Sequence, residues 1–135
     1  MDESNMTPKL KDKWTAALRS GKYPQGFGQL SFKDGSEEQF VYCCLGVLHE
    51  VAGGKWITNG PRSNGEIAQA IEYENEYGLD LPSNREDILP KILLDEYGLT
   101  EKDQDKLVQL NDIERLDFKQ IADWIDEHIG KETAS

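Results

Sequence analysis

The chain has 135 residues, the length of one domain that can bury a core without disulfide or metal crosslinks. Its 15 basic residues stand against 26 acids, and the net charge of -11 argues against binding the phosphate backbone of nucleic acid. No apolar run reaches the roughly 20 residues that span a bilayer, and the polar, acidic first ten residues lack the pattern of a secretory signal. We therefore expect one cytoplasmic domain that binds neither nucleic acid nor membrane.

The first part of the chain predicts a helix followed by a β-hairpin. Thr7 and Pro8 are the residue types preferred at a helix N-cap and first turn, and Gly21 is typical of a helix end. Apolar residues then alternate on both sides of the pair Asp34-Gly35. This pattern predicts two antiparallel strands joined by an Asp-Gly turn.

The middle of the chain has weaker signals. The stretch 43–52, continuously apolar from 43 to 48 and followed by two glycines, favours a buried helix, although periodicity alone also allows a strand. Residues 55–58 have the composition of a short third strand. Residues 59–65 have loop composition. The apolar residues of 67–71 allow a helical turn or two, and 73–81 reads as a surface loop.

The last third predicts three helices. Ser83 can cap the first of them, Pro90 must either kink it or delay its start to about residue 89, and Gly98 ends it. Thr100, with an acid three residues later, resembles a capping box and opens the second helix. Asp117 caps the third, whose apolar residues recur on one face.

These elements together predict an α+β fold. We expect a mostly helical single domain, residues 1–135, with a small antiparallel sheet near residues 27–58. Strands do not alternate with helices along the chain, which argues against a doubly wound α/β fold. Residues 1–6 and 131–135 are expected to be disordered tails.

The two cysteines, Cys43 and Cys44, are adjacent. A disulfide between neighbouring residues needs a strained ring, so we expect both thiols to be reduced, as in the cytoplasm. The two histidines are far apart in the sequence, and no four-ligand zinc spacing is present. Neither a metal nor a cofactor is expected.

Cys43 and Cys44 are nevertheless the candidate catalytic residues. If a helix starts at Cys43, the partial positive charge of its N-terminus would lower the pKa of one thiol. A nucleophilic cysteine also needs a base, and His49, six residues on, would face away from Cys43 on the same helix. The alternative is that both cysteines are small buried side chains of the core.

Gln25, Asn111 and Asp112 are the candidate binding residues. One interpretation is structural: Asn111 adopts the left-handed conformation at a helix end, and Asp112 holds loop N–H groups. The other interpretation is that Asn111 and Asp112 face a pocket beside Gln25 or the thiols. That set has the residue types of a papain-like site, without a well-placed histidine.

Several motifs carry a resemblance to known sequences. They are the strings Trp14-Thr-Ala-Ala-Leu-Arg-Ser-Gly21, Tyr42-Cys-Cys-Leu-Gly-Val-Leu48 and Leu110-Asn-Asp112. Over about residues 10–126 the chain resembles a set of small uncharacterised proteins of phages and environmental bacteria. The resemblance implies a phage or marine microbial origin and carries no mechanism with it.

Three functional hypotheses follow. The leading one is a phage-type accessory protein that acts by binding a host protein or a small ligand, because no complete catalytic set is recognisable. The second is a cysteine-dependent hydrolase or transferase that uses Cys43 or Cys44, with Gln25, Asn111 and Asp112 in support. The third is a structural or assembly component.

Overall fold

The computed structural model of the chain describes residues 6–34, 38–58, 61, 65–74, 77–82 and 87–129. The helices among these residues are α1 (Pro8–Ser20), α2 (Cys44–Val51), α3 (Lys91–Tyr97), α4 (Glu101–Val108), and α5 (Phe118–His128). One π-helical turn, Gln109–Ile113, continues α4 directly. The strands are β1 (Ser31–Asp34), β2 (Val41–Tyr42), β3 (Lys55–Thr58), β4 (Glu66–Glu74) and β5 (Asp80–Pro82). The predicted α+β class is confirmed.

Three of the predicted capping residues, and the glycine predicted to end the first helix, lie where the sequence predicts them. The Thr7 hydroxyl accepts the Leu10 N–H at 3.2 Å, and α1 ends at Gly21 with φ 76°. Thr100 and Asp117 each form a complete capping box at the start of α4 and α5. Pro90 is the N-cap of α3, which begins at Lys91, about two residues later than expected. The predicted cap Ser83 lies outside the described residues.

The sheet has strand order β2-β1-β4-β3, and β5 also pairs with β4, all antiparallel. The predicted hairpin strands do pair, with Ser31 opposite Tyr42. Residues 35–40 lie between the two strands, and the predicted Asp-Gly turn falls in part on residues outside the described ones. Asp34 belongs to β1 and lies opposite Glu66 of β4. Gly35 lies outside the described residues.

The largest difference from expectation is β4, where residues 66–74 form a strand instead of helical turns and a loop. β4 is the central strand: β3 pairs with it on one side, and β1 and β5 pair with it on the other. A short apolar run is compatible with a helix or a strand, and here pairing with neighbouring strands on both edges stabilises the strand. The sheet therefore extends to residue 82, beyond the predicted limit at 58.

The core forms around α2, in which residues 44–49 are all buried. Trp14 of α1 is fully buried, and its indole N–H donates to the Cys44 carbonyl at 2.9 Å. Met6 is only 4% exposed and belongs to the core. The expected disordered tail 1–6 is therefore wrong at Met6, because its apolar side chain is covered. Residues 131–135 lie outside the described part of the chain.

Candidate functional site

The start of α2 is held against the loop that precedes β1. Gly46 lies so close to Leu30 that a Cβ atom at Gly46 would overlap the Leu30 carbonyl oxygen. The same carbonyl accepts the Cys43 N–H at 3.1 Å. Glycine is the residue type that allows this approach of two backbones. The Cys-Cys-Leu-Gly motif is therefore, first of all, a packing motif.

Asn111 connects three segments beneath α2. Its Oδ1 accepts from Gln25 Nε2 at 3.1 Å and from the Cys44 N–H at 3.3 Å. Its Nδ2 donates to the Gly26 carbonyl at 3.0 Å and to Asp112 Oδ1 at 2.8 Å. The side chain is 1% exposed. Both amide protons of Asn111 are thus used inside the domain.

The other two candidate binding residues join the same cluster. Gln25 Nε2 also donates to the Leu116 carbonyl at 2.8 Å, so its two amide protons are engaged as well. Asp112 Oδ1 accepts the Gly28 N–H at 2.9 Å, which is the loop contact expected of it. The fold therefore brings Gln25, Asn111 and Asp112 together beside the cysteines. We call these five residues the Cys43 cluster.

The expected left-handed conformation of Asn111 is wrong. Asn111 lies within the π-helical turn, and the described non-glycine residue with positive φ is Arg115, at 53°. In this wider turn the Asn111 amide points inward, and its Oδ1 accepts the N–H of Cys44 at the start of α2. The Arg115 guanidinium lies 4.6 Å from the centre of the Phe27 ring.

Both thiols are buried, Cys43 at 5% exposure and Cys44 at 0%. Burial raises the pKa of Cys43 to about 12, outweighing the N–H groups of Gly46 and Leu45 that favour its thiolate. Burial also raises the pKa of Cys44 well above its usual value. The expected lowering of a thiol pKa at the helix N-terminus is therefore wrong, because desolvation exceeds the helix dipole.

The histidines are engaged elsewhere. His49 Nε2 lies 2.8 Å from the Lys55 carbonyl, which can only accept, so this nitrogen carries the proton. His49 Nδ1 lies 2.7 Å from the Tyr97 hydroxyl and accepts from it in the neutral ring. Burial lowers the pKa of His49 and so favours that neutral form. His128 stacks on Trp124 and contacts the Trp124 carbonyl at 2.9 Å.

Alkylation measures the state of the two thiols directly. We expect Cys43 and Cys44 of the native protein to react with iodoacetamide about three orders of magnitude more slowly at about pH 8 than an exposed cysteine. Lys102→Cys, on the exposed face of α4, supplies that reference thiol in the same chain. Rapid modification of Cys43 or Cys44 at about pH 6, located by mass spectrometry, would instead favour a nucleophile.

A separate cleft of about 1120 Å³ opens where the start of α1, the end of α2, β4 and α3 meet. The ring of His49 and the side chain of Tyr97 line it, and a Cβ atom at Gly54 would overlap that ring. Pockets for small ligands typically enclose roughly 300–1,000 Å³, so the volume of this cleft lies close to the upper end of that range. Its apolar lining residues are Leu10, Val51, Ala52, Tyr73, Ile92 and Leu93.

Charged residues of both signs line the same cleft. The basic ones are Lys9 and Lys13 of α1 and Lys55 of β3. The acidic ones, which we call the acidic wall, are Glu72, Glu74, Asp95 and Glu96. The cleft thus combines an apolar surface with lysines and carboxylates contributed by different elements.

This cleft could not be predicted from the sequence. Lys9 and Lys13 are one helical turn apart and both reach it, a spacing that is visible in the sequence. The acidic wall comes from β4 and α3, and the sequence predicts helical turns and a loop for residues 66–74. Only the sheet and the packing of α3 bring these segments beside α1.

Among the described residues, no group of three or more histidine, cysteine or acidic side chains could hold a metal ion. None of the described helices combines the length and apolarity needed to cross a membrane.

A family model described as a domain of unknown function (DUF8296) matches residues 6–129. No curated protein and no solved structure matches the chain.

Proposed function

The chain belongs to the DUF8296 family, whose description names no activity. From the geometry of the site, we propose that the protein binds a polypeptide segment of a partner in its cleft. The volume and mixed lining of the cleft carry this proposal. An apolar surface flanked by charged groups is the usual composition of a recognition site. Charged residues of both signs beside that apolar surface favour a polypeptide segment over a small molecule.

The Cys43 cluster supports binding over catalysis. The amide protons of Gln25 and Asn111 are all donated to acceptors within the domain, so neither amide is left to stabilise a developing negative charge on a substrate. Neither histidine contacts a thiol: His49 is bonded to Tyr97 and Lys55, and His128 to Trp124. The cysteine-dependent enzyme and the assembly component stay as predictions from sequence.

The proposal extends to the setting of the protein. We place it in the cytoplasm, in the host cell if a phage encodes it, as an accessory protein. Two observations support this setting: the cysteines are free and buried, and the motifs around Trp14, Cys43 and Asn111 resemble those of phage and environmental bacterial proteins. The partner is then a protein of the same compartment.

Selection from a library of random peptides displayed on yeast tests the binding function. We expect the wild-type protein to enrich a related set of peptides. Ile92→Asp should abolish their binding, because Ile92 lines the cleft and is 40% exposed. Ile113→Asp is the matched control: Ile113 is 76% exposed, is not among the cleft residues, and should bind as wild type.

Two results would contradict the proposal. One is that no peptide is enriched by the protein above a selection carried out without it. The other is equal binding of the selected peptides by Ile92→Asp and Ile113→Asp, which would place the binding surface outside the cleft. Circular dichroism of both variants is the control that tests whether each retains the fold.

A further inference from the structure

The basic residues of α1 divide into two groups with different surroundings. Arg19 forms ion pairs with Asp123 at 2.8 Å and Asp126 at 2.6 Å, both on α5. Lys11 also faces α5, and its Nζ donates to the Asp126 carbonyl at 3.1 Å. Packing of α1 on α5 therefore accounts for the charges on one side of the helix.

Lys9 and Lys13 lie on the side that faces the cleft. Among the described residues, neither lysine forms an ion pair within 4.0 Å. Lysines four residues apart on a helix repel each other by a few tenths of a kcal/mol, and no partner in the described part of the chain offsets that repulsion. An anionic group in the cleft would offset it, so this pair points to carboxylates or phosphates of a ligand.

The acidic wall decides between those two kinds of anion. Its four carboxylates line the same cleft as Lys9 and Lys13, and the whole chain carries a net charge of -11. A polyphosphate chain would meet repulsion from both sources. A polypeptide segment can place acids beside the lysines and basic side chains beside the wall, and so satisfy both.

We propose that the cleft recognises a mixed-charge polypeptide segment, whose carboxylates lie against Lys9 and Lys13 and whose basic side chains lie against the acidic wall. Apolar side chains of the same segment cover Ile92 and its neighbours. This inference rests on the proposed binding function and names the chemistry of the partner. It also explains why an acidic protein keeps together, on one helix face, two lysines that form no ion pair with the described residues.

Charge reversal on α1 tests this assignment with a peptide selected by the wild-type protein. We expect Lys9→Glu with Lys13→Glu to raise the Kd of that peptide at least about tenfold. Reversal of the peptide's own acids to lysine should restore binding to this variant and weaken binding to wild type. Lys102→Glu with Lys119→Glu, on exposed positions outside the cleft, is the control with the same change in net charge and should leave Kd within about twofold.

The outcomes separate this inference from the binding function. If peptides are enriched through the cleft and the α1 double variant binds them as tightly as the control, the lysine assignment is wrong while the function stands. If no peptide is enriched, the function itself fails. A single-stranded oligonucleotide that competes as effectively as the selected peptide would overturn the choice of a polypeptide partner.

Discussion

Replacing Gly46 with alanine is expected to lower the free energy of unfolding by about 2–4 kcal/mol. A Cβ atom there overlaps the Leu30 carbonyl oxygen, and the same oxygen accepts the Cys43 N–H. The helix has to move away from the loop, which opens the buried contact between them. The higher helix propensity of alanine returns only about 1 kcal/mol.

Urea unfolding at 25 °C measures this loss, with Gly21→Ala as the matched control. Gly21 has φ 76°, and a Cβ atom there meets nothing within 4 Å, so the control reports backbone strain of about 1 kcal/mol without a clash. A loss at Gly46 no larger than the loss at Gly21 would mean that the close approach of α2 to Leu30 contributes no stability.

Replacing Asn111 with aspartate is expected to cost about 3–5 kcal/mol of the free energy of unfolding near neutral pH. The substitution keeps the shape and removes both donors. A buried carboxylate would then face the Gly26 carbonyl and the Asp112 carboxylate, which accept those protons in the wild-type protein. The loop at residues 25–26 and the start of α2, which meet at Asn111, lose a shared contact.

The same variant should recover stability on acidification. Burial and the neighbouring Asp112 raise the folded-state pKa of the introduced carboxyl above its unfolded value. The penalty is therefore present above the folded-state pKa and is relieved as the pH falls through it, because the protonated carboxyl can donate to Gly26. The stability difference between wild type and variant should shrink as the pH is lowered from 7.

Gln120→Glu is the control for this amide-to-carboxylate change. Gln120 is exposed, and its side-chain oxygen accepts the Asp117 N–H in the capping box of α5, a role that glutamate also fills. We expect its effect to stay within about 0.5 kcal/mol at every pH. A pH-independent loss at Asn111, or one as small as that of the control, would contradict the donor role of its amide.

Helix ends and the fold class could be predicted from the sequence because they depend on neighbours in the chain. Thr7, Thr100 and Asp117 cap helices through N–H groups three residues away, and Gly21 and Gly98 end helices in the left-handed conformation. These interactions span a single turn of chain. The residue types alone are enough to locate them.

The Cys43 cluster could be predicted only in part. Its members, Gln25, the cysteines, Asn111 and Asp112, were recognised from residue type and do lie together. Their surroundings were not predictable, because the pKa of a thiol depends on what covers it. Here both thiols are buried, with Cys44 Sγ 3.8 Å from the Leu107 carbonyl of α4, and desolvation reverses the expected direction of the pKa shift.

Composition, caps and periodicity thus establish an acidic α+β domain with its cysteine motif at the start of a buried helix. The tertiary structure decides the rest. Residues 66–74 become the central strand because partners pair with both of their edges, and the cleft exists only where that strand and α3 lie beside α1. Contacts between residues far apart in the chain depend on packing, which no local pattern encodes.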